Sequence, residues 1–407
     1  MKKKHLLNEI MGVPRAVDFW VENFALVLTG LAKGIVKSDE LESSEIIYKN
    51  AEGEEVEGEA YRGITKMDGK EFTNYVMQLS GYSSLKELIN DPRFKQFPLY
   101  NPEIKLTLYF LPEEVFNLQF GTNMNKSDFV EASHGFDASD PKLVKLGGDN
   151  LVLTKQQFTF QIYLKIEDLD NFNESEFKKI LKPVIGHELT HAYETYNRIK
   201  TKQDPFQGRE TFLNAATKMM GDKKYPQWEE FLHLVYLHLS FEINARITQL
   251  YYSLQDSDIT NSDEFIKEVK NSSVWKEITL LENFNAENFV KSFKTPKGLD
   301  IFSMMSDLGK QLERESQGLP NIGIKKTPKE GMTHLIAGWD FVLQKLNQSL
   351  SNDSVYKGKL MDMVPQRAKE DPYYFFKFFE DRFHKKAKNF KRKVLRLASL
   401  ILDKNLM

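Results

Sequence analysis

Apolar side chains recur at helical spacing in "AVDFWVENFALVLTGLAKGIV", residues 16 to 36, and predict a helix there. The following "DELESSEIIYKNAEGEEVEGEAYRGI" alternates Glu, Gly and short apolar runs, the pattern of an exposed acidic hairpin or loop. Residues 70 to 94 return to a helical pattern, with Ser84 and Glu87 at capping-box spacing. "IKLTLYFL", residues 104 to 111, reads as a buried strand, and the Gly-, Asp-, Ser- and Asn-rich stretch from 120 to 150 reads as loop. In "LVLTKQQFTFQIYLKI", residues 151 to 166, Phe158, Phe160, Ile162, Leu164 and Ile166 share one face and Thr159, Gln161, Tyr163 and Lys165 the other, so a half-buried strand is expected. Residues 228 to 252, "WEEFLHLVYLHLSFEINARITQLYY", are apolar nearly all round, as an interior helix is. Helical patterns dominate from residue 260 onward, interrupted by the expected linker "GLPNIGIKKTPKEG" at 318 to 331. Near the end, Phe383, Ala387, Phe390 and Val394 recur at helical spacing inside a basic run, predicting a docked helix with a solvated basic face.

Composition narrows the function classes. The 407 residues are 41% hydrophobic and 28% charged, which is the balance of a soluble globular protein. A net charge of -2 supplies no global field for nucleic acid or an anionic membrane, so nucleic acid is not expected as a partner. The chain has no cysteine, which excludes disulfides, thiolate ligands and a cysteine nucleophile. Any transition-metal site must therefore use His, Asp, Glu and water. Asp18 and Glu22 interrupt the N-terminal apolar run, leaving residues 23 to 36, short of the roughly 20 apolar residues a bilayer span needs. No small-residue cleavage pattern follows the basic start. The expectation is a soluble protein without signal peptide or transmembrane segment, intracellular or particle-associated.

Chemistry concentrates in "KKILKPVIGHELTHAYETYNR", residues 178 to 198. On a helix His187 and His191 lie on one face and can point both imidazoles at one ion, while Glu188 sits about 100° round and can take a proton from water held there. Two imidazoles leave a zinc site short of one protein ligand. The candidates are His134, Glu194, His233, His238 and Glu242, with His5, His334 and His384 remote in sequence. Glu194 shares the face of His191 but stands too close along the backbone to complete a tetrahedron. Glu242 is preferred, because a carboxylate on an apolar helix would be costly unless an ion or an arginine such as Arg246 compensates it. His238, one helical turn before Glu242, is placed either to donate to a tetrahedral oxyanion or to pack as a core histidine.

His187, Glu188 and His191, with Glu242 and Ala245 downstream, resemble the gluzincin class of zinc metallopeptidases over about residues 151 to 252. The resemblance implies Zn2+ held by His187, His191 and Glu242, with Glu188 as general base and a second helix facing the motif helix. Three departures stand out. About fifty residues separate His191 from Glu242, requiring an insertion near 200 to 227; Pro183 suggests that the motif helix starts or kinks there; Arg246 stands where related enzymes carry an acid that orients a zinc histidine. The expected fold is α+β and mostly helical, with a small sheet and a zincin-like unit. Its regions are 1–100, helices and a hairpin; 101–260, the catalytic unit; and 261–407, a helical region. The expected activity is hydrolysis of peptide bonds in a protein or peptide substrate, and the competing reading is a structural protein of a larger assembly that keeps the fold with little or no peptidase activity.

Overall fold

The computed structural model describes residues 16–38, 40–49, 54–120, 129–136, 143–146, 151–202, 240–255, 259–292 and 372–402, together with Phe231, His233, Leu234, Leu237, His238, Ser257 and Arg367. The expected linker at 318 to 331, the expected insertion near 200 to 227 apart from its first residues, and His5 and His334 lie outside the described residues. Within them the protein is α+β and mostly helical, with one five-stranded sheet and one two-stranded sheet. The chain forms two compact units: residues 1–205, 243–276 and 392–407 make the first, and 206–242 with 277–391 the second.

In the first unit, helix α1 (Ala16–Val36) leads into the hairpin β1 (Glu42–Lys49) and β2 (Glu55–Met67), as the acidic alternation predicts. Three short helices follow: α2 (Gly69–Leu79), α3 (Leu85–Asn90) and α4 (Pro92–Gln96). Ser84 caps α3 by accepting from the Glu87 amide, while the Glu87 carboxylate accepts from the Ser83 amide. Strand β3 (Glu103–Leu111), helix α5 (Glu113–Phe120) and strands β4 (Val130–Phe136), β5 (Leu143–Lys145), β6 (Leu151–Leu153) and β7 (Gln156–Lys165) complete the sheets.

The main sheet has the order β1-β2-β3-β7-β4, with β3 and β7 parallel and every other pair antiparallel. Along β7 the even residues from Gln156 to Leu164 are buried and the odd ones half-buried, which is the predicted alternation. It ends before Ile166, which opens a short 3-10 turn, and it begins after Lys155, whose φ of 57° separates β6 from β7. The buried face carries Ile104, Leu106, Leu108 and Phe110 of β3 beside Phe158, Phe160 and Ile162 of β7. Helix α1 covers it, its Phe24 ring meeting Phe72 at 4.7 Å and Phe158 at 4.9 Å. On the opposite face Tyr109 and Tyr163 stack at 5.0 Å, with Arg62 over Tyr109.

Two expectations change here. The stretch from 120 to 150 contains strands β4 and β5 as well as connecting residues, because an edge strand is held by its backbone bonds to β7 and needs no apolar alternation of its own. The N-terminal helix runs over 21 residues and, by length and composition, is the one helix among the described residues that could cross a membrane. In this structure it is a packed core helix: Val17, Phe24, Ala25 and Leu28 are wholly buried and the Trp20 indole donates to the Phe97 carbonyl at 2.9 Å.

Helix α6 (Glu174–Lys200) packs on α1 and β4, and helices α7 (Ser240–Gln255), α8 (Ser262–Asn271) and α9 (Ser273–Asn283) follow. The second unit takes in the later part of α9, helix α10 (Ala286–Ser292) and most of α11 (Pro372–Leu402). An aromatic cluster forms its core, with Phe231 at 5.1 Å from Phe376 and 5.4 Å from Phe379. Glu380 is buried and accepts from the Ala286 amide at the start of α10; burial pushes its carboxyl up, but the bond from Lys377 and then that from Ala286 hold it below the usual range. The predicted stripe Phe383, Ala387, Phe390 and Val394 of α11 is buried throughout.

Candidate metal centre

The motif helix starts at Glu174, not at Pro183. Asn173 caps it by accepting from the Ser175 and Glu176 amides at 3.1 Å, and the proline lies inside the helix, where it is buried. Of the two roles expected of Pro183, a start or a kink, the start is ruled out: a proline removes a single intrahelical bond, and the long helix continues on either side of it. Downstream, His187, Glu188, Thr190 and His191 are all buried, and Thr190 and Thr195 return their hydroxyls to the carbonyls of Gly186 and His191.

Helix α7 also differs from expectation. The apolar stretch from 228 to 252 is not one uninterrupted helix: His238 sits in a turn and α7 begins at Ser240. Glu242 is therefore in the first helical turn, where a carboxylate is favoured by the amide ends of the helix. It is wholly buried. The expectation that His238 precedes it by one turn of the same helix does not hold. The His238 ring is buried edge-on against Phe383 at 5.5 Å and Phe379 at 6.0 Å.

His187, His191 and Glu242 come together, with one ligand atom from each lying within 4.8 Å of the others. The two Nε2 atoms are 3.1 Å apart and the rings stand at 81° to each other. Nitrogens bound at about 2.05 Å to one tetrahedral ion would be about 3.3 Å apart. The imidazoles thus already hold nearly the separation a shared ion requires. Glu188 has its carboxylate 3.9 Å from the Nε2 of His187, beside the group and not part of it. The donor set fits a metal ion: two imidazole nitrogens and a carboxylate oxygen, all buried.

None of the other described candidates joins this group. Glu194 accepts from the Asn244 side chain at 3.0 Å; His134 is buried on β4 with its ring 4.8 Å from Phe158; His384 meets the Phe284 carbonyl; His233 is exposed. Arg246 is half-buried and donates to Gln249.

No known protein family, curated protein or solved structure matches this chain.

One residue that matters to this site escaped the sequence reading. Gly186 directly precedes His187, and a Cβ there would stand 2.4 Å from Cδ2 of Tyr252 and 3.3 Å from Cγ2 of Thr248. The missing side chain lets α7 approach α6. The signal was a glycine in the middle of a helix, a position that costs about 1 kcal/mol unless close packing repays it. At an open helical site Gly→Ala would gain that amount; here overpacking of about 1–3 kcal/mol reverses the sign. Gly186→Ala is expected to lower the denaturation midpoint and weaken metal binding together, and an unchanged midpoint would show that α7 has room to move.

Tyr252 is fixed at this crossing by a 2.6 Å bond from its hydroxyl to Asp18. Burial, and then the Asp18 carboxylate, push its phenol well above the ordinary value of 10.0. A raised folded-state pKa means that this contribution is complete below 10.0 and is lost as pH climbs past it. Titrating stability through the alkaline range should show the loss, and Tyr252→Phe should flatten it; equal slopes in both proteins would refute the assignment.

Proposed function

We propose that the protein is a zinc-dependent metallopeptidase with a gluzincin-like site. The observation that carries this reading is the convergence of His187, His191 and Glu242 with Glu188 alongside. Two imidazoles and one carboxylate, with no thiolate, form a donor set that catalytic zinc takes, leaving a position for water. Zinc, when bound, polarises a carbonyl and lowers the pKa of water.

The chain's own residues supply the rest. Glu188 takes the proton of the attacking water and returns it to the leaving amine, for which a carboxylate beside the metal ligands and clear of them is required. His187 and His191 are both buried, and each presents a ring nitrogen to the group that Glu242 completes. An extended substrate cannot pair with β7, because β7 lies between β3 and β4. Among the described residues strand β4 ends the sheet on the side of β7, it packs on the motif helix, and an extended peptide could add to it by backbone bonds. His238 has its ring against Phe379 and Phe383, so we assign it no step.

The test is direct. The purified protein should contain zinc at one equivalent and should cleave an unfolded protein substrate, and a chelator should abolish cleavage until zinc is restored. Zinc-loaded protein that leaves a range of unfolded substrates intact would overturn the peptidase reading while sparing the metal site.

A further inference from the structure

The rotation of α7 about its own axis decides where Glu242 points. Thr248 and Tyr252 are the residues of α7 that meet α6 at Gly186, and the wholly buried Ala245 is in line with them. At 3.6 residues per turn, Glu242 lies about 80° to one side of this stripe and Asn244 about 80° to the other. A hold on Asn244 therefore sets the angle at which Glu242 is presented.

Such a hold exists. Asn244 Nδ2 donates to Glu194 Oε1 at 3.0 Å, and its Oδ1 accepts from Lys393 Nζ at 2.5 Å. An ammonium can only donate, so Lys393 selects the oxygen end of the amide and leaves the nitrogen end for Glu194. Glu194 follows His191 by three residues on α6. The bond consequently ties the helix that carries both imidazoles to the helix that carries the carboxylate. Lys393 comes from α11, 149 residues further along the chain.

We propose that Asn244, oriented by Lys393 and bonded to Glu194, is a positioning residue that fixes the rotation of α7 and so brings Glu242 to His187 and His191. This rests on the reading of those three residues as metal ligands. Neither Asn244 nor Lys393 touches the ion; both act through the placement of Glu242.

The test is zinc affinity of the full chain, measured by competition with a chromogenic chelator. Asn244→Asp replaces the donor with a carboxylate oxygen facing the Glu194 carboxylate, and about 10- to 100-fold weaker zinc binding is expected. Adding Glu194→Gln reverses the direction of the bond, since the glutamine amide can donate to the aspartate while Lys393 keeps its partner. That double variant should return to within about 3-fold of the original affinity, as coupling between bonded neighbours requires. Damage unrelated to the bond would not be repaired by the second change. Wild-type affinity in Asn244→Asp, or no recovery in the double variant, overturns the proposal. Should Asn244→Asp fail to fold, Lys393→Met carries the test, with about 10-fold weaker binding expected and unchanged binding overturning it. A wild-type chain that binds no zinc in the same titration removes the ligand assignment itself, an outcome distinct from failure of the brace alone.

Discussion

Alanine in place of His187, His191 or Glu242 is expected to abolish zinc binding and, with it, the zinc-dependent stabilisation expected of the wild-type protein. The three donors converge within 4.8 Å, and loss of any one leaves two, too few for a tight protein site. An ion that binds only the folded state stabilises it by about 2.7 kcal/mol at a hundred times its dissociation constant and about 4.1 kcal/mol at a thousand times. The measurement is a pair of melting curves for each protein, with zinc and with chelator. Wild type should separate the two curves by several degrees, and each variant should superimpose them. Stoichiometric zinc retained by Glu242→Ala would remove that residue from the set, although Glu194, already bonded to Asn244, would be an awkward replacement.

Glu188→Gln should behave in the opposite way. It preserves shape and hydrogen-bonding reach while removing the basic oxygen, so zinc content and melting should match wild type as turnover falls by about 100-fold or more. The distance of 3.9 Å between the Glu188 carboxylate and the His187 nitrogen suits a group that acts beside the ion. Full activity in this variant would sink the mechanism. Loss of zinc would instead make Glu188 a ligand.

What the sequence disclosed, and what it hid, divides along physical lines. The pairing of His187 with His191 and the alternation along β7 were legible because each depends on a fixed local period. Glu242 was legible because a carboxylate among apolar helical positions asks for an explanation. Strand β4 was not, since its hold on β7 runs through backbone atoms that every residue has. The true start of α6 at the Asn173 cap was obscured by Pro183, a stronger local signal with a weaker effect. The turn at His238 was hidden because apolar residues continue straight across it. The bond between Lys393 and Asn244 spans 149 residues and leaves no local trace at either end.

The first unit draws on three separated stretches of chain, the last of them residues 392–407. A ribosome adding about 5–20 residues per second takes on the order of 7–30 s to pass from Asn244 to Lys393, 149 positions later. For that interval the nascent chain has made both helices of the metal group but not the cation that orients Asn244. Biosynthesis therefore delays completion of this unit until the C-terminal helix has been made, and ribosome-bound chains halted between the two positions should take up zinc less tightly than released protein.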